Sequence, residues 1–309
     1  MEHNKVYNIN FLHNTLPDKC AQLIIADPPY FEVKGDFDFI WKSFDDYLKD
    51  VEKWAIECKR ILAGNGTLFW WGDKKKIAYS QIILDKYFNL ENSLTWRKKD
   101  SMQYQYYSPD LARTFNTHNE RLLMYSSLEQ PIESFAKYLS DLIDKYKIKM
   151  KDIQVLYPSK TGGLTGCVSN WINGDNVMTK EQYEILQNKF GADIFNLDYD
   201  TLISEYDKSR RYFYNPQKLE EVLEFSQEAS ITKNYDHETK KAETITRALI
   251  LTCSRENDLV VVPFAGSGTE CAMAAKENRN FIGFDIENKY VEMANKRCFE
   301  HLQTQTLFN

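Results

Sequence analysis

Three things are scarce in this chain of 309 residues, and each scarcity narrows the functions open to it. Positive charge is not in surplus: 39 Lys and Arg face 45 Asp and Glu, a net charge of −6. A protein that grips phosphates usually has a basic excess, so any nucleic-acid contact must rest on local clusters. Paired cysteines are missing. Cys20, Cys58, Cys167, Cys253, Cys271 and Cys298 form no CxxC pair and lie in apolar stretches. That spacing argues against a zinc or dithiol site, points to reduced core residues, and leaves no metal ligand set expected. Long apolar runs are missing too. No stretch approaches the ~18–20 residues that span a bilayer, and the first ten residues hold no apolar leader core. The expectation is a soluble, cytoplasmic protein with no membrane partner.

What is present is a core-forming composition, 43% hydrophobic and 27% charged, suited to one large α/β domain or one domain with a smaller insert. Over residues 1–127, strand-like and helix-like stretches alternate. Strands are expected at 22–26, 67–71, 94–96 and 120–125. Helices are expected at 43–62, stopped by Gly64-Asn65-Gly66, and at 75–87. Over residues 128–236 strands vanish from the pattern. Phe135, Leu139, Leu142, Ile143 and Tyr146 make one helical stripe, and short helices follow at 151–156, 168–172 and 180–190. Over residues 237–309 the βα alternation resumes. Bookends of this kind imply one parallel sheet covered on both faces and interrupted by a helical insert.

Two motifs sit where such sheets bind ligands, at the carboxyl ends of strands. Asp27-Pro28-Pro29-Tyr30 follows the apolar run 22–26. The prolines stiffen the turn and fix the direction of side-chain and carbonyl oxygens. An exocyclic amine needs two acceptors for its two hydrogens, and the Asp27 carboxylate and Pro28 carbonyl can supply them, with Tyr30 as a stacking face. The second motif, Phe264-Ala265-Gly266-Ser267-Gly268-Thr269, joins a valine strand to a helix start. Its glycines admit positive φ and close approach of a ligand to the backbone, and Asp285 ends the next strand where it can accept from ribose hydroxyls. The loop is neither GxGxxG nor a P-loop, which favours a nucleoside without a pyrophosphate. Taken singly, each motif is also explained by an ordinary strand end or βα turn.

In this order, DPPY before FAGSG, the motifs resemble the beta class of S-adenosylmethionine-dependent amino-methyltransferases. His237-Glu238-Thr239-Lys240-Lys241-Ala242 resembles that family's HPTxKP segment, with Glu238 and Ala242 in place of prolines, and 95–98 and 116–120 resemble further family segments. The resemblance implies a doubly wound, mostly parallel seven-stranded sheet in permuted order, with a strand near Val6 completing it and a helical inserted target-recognition domain. It implies Asp27, Pro28, Pro29 and Tyr30 as the catalytic set. The implied S-adenosyl-L-methionine site comprises Asp27, His237, Thr239, Lys241, Pro263, Phe264, Ala265, Gly266, Ser267, Gly268, Thr269, Asp285 and Ile286. Most members carry Asp where Asn8 stands.

The activity implied is methylation of adenine N6 in double-stranded DNA after base flipping, with Asp27 favouring adenine over cytosine N4. No cysteine occupies a position suited to cytosine C5 chemistry. The insert reads as a helix-turn-helix whose recognition helix, 166–172, offers Ser169 and Asn170 to base edges. Arg97, Lys98 and Lys99 are the expected phosphate contacts; Lys74, Lys75 and Lys76 are further candidates, also explained as a solvated helix start. Tyr104, Tyr106 and Tyr107 are candidates for extruded DNA or for core. A cognate restriction endonuclease and a homodimer are partners the resemblance admits. Open alternatives are cytosine N4 or RNA adenine as the amine, a protein glutamine amide, and a DNA-binding regulator with an inactive methylase fold.

Overall fold

The computed structural model describes residues 1–33, 38–99, 118–129, 134–159, 162–163, 165–226 and 241–306. They fall into two compact units, Met1–Glu129 with Arg211–Asn309, and Gln130–Arg210.

The first unit is built on strands β1 (Lys5–Asn8), β2 (Ala21–Ala26), β3 (Leu62–Gly72), β4 (Phe88–Lys99), β5 (Asn119–Ser127), β6 (Val222–Ser226), β7 (Leu259–Val262) and β8 (Asn280–Asp285). They form one sheet in the order β1-β8-β7-β2-β3-β5-β4-β6. Among the described strands only β5 runs against its neighbours; the other pairs are parallel. The doubly wound, mostly parallel sheet therefore matches expectation, and β1 pairs with β8 as the permuted order requires.

The strand total differs: eight strands among the described residues, where seven are expected. The extra one, β6, lies inside the stretch read as purely helical. It is a short edge strand beside β4, exposed at Val222, Glu224 and Ser226, and it is held by backbone pairing to β4 that no local pattern announces.

Side chains alternate across the pleat and build a core on each face. Leu23, Ile25, Phe69 and Trp71 pack into one core with Ile245, Leu249 and Met273. Ile24, Ala26, Leu68 and Trp70 pack into the other with Tyr47, Val51, Trp54 and Cys58. The latter four belong to helix α1 (Phe44–Ile61), capped by Ser43, whose hydroxyl accepts from the Asp46 amide. The chain passes from α1 straight into β3, so Gly64-Asn65-Gly66 is not a helix stop. It lies within β3, where the register against β2 shifts. A Cβ on Gly66 would lie 2.9 Å from the Ala21 carbonyl oxygen, so this irregular pairing needs glycine. Helices α2 (Ile77–Leu84), α8 (Glu243–Cys253), α9 (Thr269–Lys276) and α10 (Asn288–Thr306) complete this unit.

The second unit holds α3 (Ser134–Tyr146), α4 (Met150–Gln154), α5 (Cys167–Asn173), α6 (Lys180–Phe190) and α7 (Tyr199–Ser209). Phe135, Leu139, Ile153, Trp171, Tyr183, Leu186, Phe195 and Leu202 form a core of its own. A capping box joins Thr179 and Gln182 at the start of α6.

Candidate active site

Because β2 and β7 are adjacent and parallel, Asp27 and the glycine loop leave the sheet at the same edge. The order of strands reverses here, β7 leading to β8 on one side and β2 to β3 on the other, which opens a crevice at the strand ends.

Asp27 is held from two sides. The Tyr30 hydroxyl donates to its Oδ1 at 2.6 Å, and the Lys241 ammonium lies 2.8 Å from its Oδ2. Tyr30 is thus more than a flat face. Burial, followed by the nearby Asp27 and Glu120 charges, pushes its phenol well above the usual range, so it stays protonated and donates. The backbone after the prolines is pinned by buried Asp38, whose carboxylate accepts from the Tyr30 amide at 2.6 Å.

Lys241 is 5% exposed and its ammonium also meets Glu120 Oε2 at 3.0 Å. The ring of Trp71, at the end of β3, lies 4.8 Å from the ammonium, and the Tyr30 ring 5.8 Å. Burial pulls Lys241 toward neutrality, but Asp27 and Glu120 outweigh it and raise its pKa. Burial would likewise raise Glu120, yet Lys241 and Lys98 hold it down at about 2. Lys98 reaches Glu120 Oε1 at 2.6 Å. The alternating chain Lys98, Glu120, Lys241, Asp27 was not legible as a unit in the sequence, although 116–120 stood out as a family-like segment.

The glycine loop has Gly266 at φ +47° and Gly268 at φ +75°. The Gly266 amide donates to Asp285 Oδ2 and the Glu287 amide to Oδ1, both at 2.9 Å. Asp285 therefore clasps the loop, and burial raises its pKa. Asn8 donates to the Asp285 carbonyl at 3.2 Å. Phe264 packs edge-on to Trp54, with centroids 5.0 Å apart. Behind the loop, buried Arg297 donates to Thr269 Oγ1 at 2.8 Å and to the Ser267 carbonyl at 3.3 Å, and pairs with Glu243. Glu270, buried in the first turn of α9, is pushed up to about 7, first by burial and then by Asp27. Neither Arg297 nor Glu270 was singled out from the sequence, because each owes its role to neighbours distant along the chain.

Pro263, Ala265 and Ser267 are buried in this loop and Ile286 is exposed beyond it. His237 and Thr239 lie outside the described residues, as do Tyr104, Tyr106 and Tyr107. The three basic residues at the end of β4 divide by strand alternation. Arg97 and Lys99 stay on the surface and share Glu224, at 2.9 and 3.1 Å. Lys98 points the other way, and its ammonium is spent on Glu120 rather than offered to a phosphate. Lys76 is likewise engaged, donating to the Phe31 carbonyl at 2.6 Å. Ser169 and Asn170 are exposed on α5, whose Val168 and Trp171 face the core of the second unit.

Similarity to known proteins agrees with this geometry. The DNA methylase family matches residues 21–296. Type II methyltransferase M1.MboII of Moraxella bovis is 26% identical over 96% of this chain and 96% of its own length. DNA adenine methyltransferase YhdJ of Escherichia coli (strain K12) is 25% identical over 91% of this chain and 77% of its own. The crystal structure of the M1.HpyAVI–SAM complex covers 95% of this chain and 98% of that one, with a TM-score of 0.53 and 15% identity, a shared fold. The chain belongs to the DNA methylase family and is a DNA methyltransferase.

Proposed function

We propose that the chain methylates adenine N6 in double-stranded DNA with S-adenosyl-L-methionine as donor. The observation behind this reading is Asp27 at the carboxyl end of β2, on the sheet edge from which the glycine loop of β7 also leaves. The residues suit this donor. The loop turns with two left-handed glycines, no lysine stands at the P-loop position, and the strand ends carry the carboxylates of Asp27 and Asp285. Such a set favours a cationic nucleoside over a phosphate ligand. Pro263 to Thr269 and Asp285 would hold it, with Asp27, His237, Thr239, Lys241 and Ile286 around it.

When bound, the donor supplies an electrophilic methyl group on a sulfonium. The protein's part is positioning. The base is flipped from the duplex and lies against Tyr30. Its amine hydrogens are accepted by the Asp27 carboxylate and the Pro28 carbonyl, which aims the nitrogen lone pair, while Pro29 keeps the turn rigid. No enzyme nucleophile takes part: the new N–C bond would replace the methyl–sulfur bond, the sulfur would be left as a neutral thioether, and the nitrogen's extra proton passes to solvent. The choice of adenine rests on Asp27 and on the likeness to a relative named as an adenine methyltransferase.

The second unit is the target-recognition module in this reading, a helix-turn-helix that offers Ser169 and Asn170 to base edges, with Arg97 and Lys99 on phosphates. The Type II name of a relative supports a cognate restriction endonuclease as partner. A homodimer is a further partner admitted in this reading. Among the described residues no helix is long and apolar enough to cross a membrane.

The test is to incubate the protein and S-adenosyl-L-methionine with DNA from a methylation-free host, then digest it and identify the nucleoside. N6-methyladenine is expected. N4-methylcytosine would reassign the amine, and unmodified DNA would remove the proposal. Long-read sequencing of the same DNA gives the recognition site.

A further inference from the structure

Lys241 faces a conflict that the proposed function creates. The amine of the substrate needs the Asp27 carboxylate, yet that carboxylate already holds the Lys241 ammonium at 2.8 Å. A buried ammonium cannot be left without a counter-ion, because burial then drives it to lose its proton. The structure supplies a second carboxylate, Glu120, at 3.0 Å from the same nitrogen. Glu120 comes from β5, the one reversed strand, so it reaches the crevice independently of the Asp27 turn. It is itself fixed, since Lys98 takes its other oxygen at 2.6 Å and lies over the Trp96 ring at 4.9 Å. The groups facing Lys241 are thus Asp27, Tyr30, Trp71 and Glu120, with Glu270 contributing from α9 through its charge interaction.

We propose that Glu120, anchored by Lys98, is a positioning residue that keeps Lys241 charged and draws it off Asp27 when Asp27 takes up the substrate amine. Glu120 makes no contact with the reacting atoms in this scheme. It sets how freely Asp27 can exchange one cationic partner for the amine. The low pKa of Glu120 agrees with a carboxylate that stays ionised throughout. This inference rests on the assignment of Asp27 as the amine acceptor.

The test is Glu120→Gln, which keeps the shape and removes the charge. In steady state with methylation-free DNA, kcat falls about 10- to 100-fold from misplacement at the reacting centre, while KM for DNA changes little. Glu120→Asp restores part of kcat. A second readout needs neither cofactor nor turnover: in lysine-labelled protein without ligand, nitrogen-detected NMR follows the Lys241 ammonium. Its pKa falls in Glu120→Gln relative to the parent. Unchanged kcat together with an unchanged Lys241 titration would overturn the proposal. If Glu120→Gln does not fold, Lys98→Met decides: a smaller fall in kcat in the same direction supports it, and parental kcat overturns it. If the parent protein itself methylates nothing, the functional reading has failed, and the Lys241 titration still reports on the pairing separately.

Discussion

Gly268 has no room for a side chain because Ala294 of α10 stands against it. A Cβ built there would lie 2.6 Å from Ala294 Cβ and 2.7 Å from its Cα, and Gly268 has φ +75°. The overlap is with backbone as well as side chain, so it cannot be relieved by a rotamer. Gly268→Ala is expected to cost about 1–2 kcal/mol for the left-handed backbone alone, with the overlap added. It should lower the melting temperature and weaken S-adenosyl-L-methionine binding together. Calorimetry that found both at parental values would refute the close packing.

Asp27→Ala removes the proposed amine acceptor while leaving Pro28 and the glycine loop in place. Methylation should be abolished and cofactor binding largely retained. The Tyr30 hydroxyl loses its acceptor and Lys241 keeps only Glu120, so stability falls by about 1–3 kcal/mol. An active Asp27→Ala enzyme would remove Asp27 from the mechanism.

Asp285→Ala severs the clasp on the loop at the Gly266 amide and the local turn bond from the Glu287 amide. Cofactor affinity should drop by an order of magnitude or more, about 1.4 kcal/mol per tenfold. The readout is the dissociation constant from titration calorimetry. Affinity within twofold of the parent would mean that the carboxylate neither shapes the loop nor meets the ligand.

Glu270 gives stability a pH dependence of known sign. Its pKa is raised from 4.5 to about 7 in the folded protein by burial and then by Asp27. Between those values the folded chain holds a proton that the unfolded chain has released. The contribution of Glu270 is therefore full below about pH 4.5 and is lost as pH rises toward 7. The size is about 3 kcal/mol from the shift. Glu270→Gln should flatten the fall in melting temperature between pH 5 and pH 8; parallel profiles for the two proteins would contradict the burial of this acid.

Arg97 and Lys99 are exposed and share Glu224. Replacing both by Gln should weaken DNA binding evenly across sequences. The slope of log affinity against log salt should become shallower by about 2. Ser169→Ala with Asn170→Ala should instead change the sequence preference and leave the salt slope alone. An unaltered site and slope across these variants would move the DNA interface elsewhere.

The sequence by itself determined the α/β class and the two motifs, whose order along the chain carries the resemblance that implies a permuted sheet. Periodicity, a glycine loop and a double proline are local properties, readable over ten residues without knowing any partner. The strand near Val6 was implied by that resemblance, as the strand that completes a permuted sheet beside β8. Only the tertiary structure decided what Asp27 meets. Lys98, Glu120 and Lys241 come from three separate stretches of the chain, and no local pattern declares an ion pair between them. The same holds for Lys98 as against its neighbours Arg97 and Lys99: one basic run in sequence becomes two faces of a strand, one spent inside and one left for solvent. β6 and the glycines of β3 were misread for a related reason. An edge strand is stabilised by the backbone of β4, and Gly66 is needed because Ala21 comes close, so each depends on a neighbour that the sequence does not place.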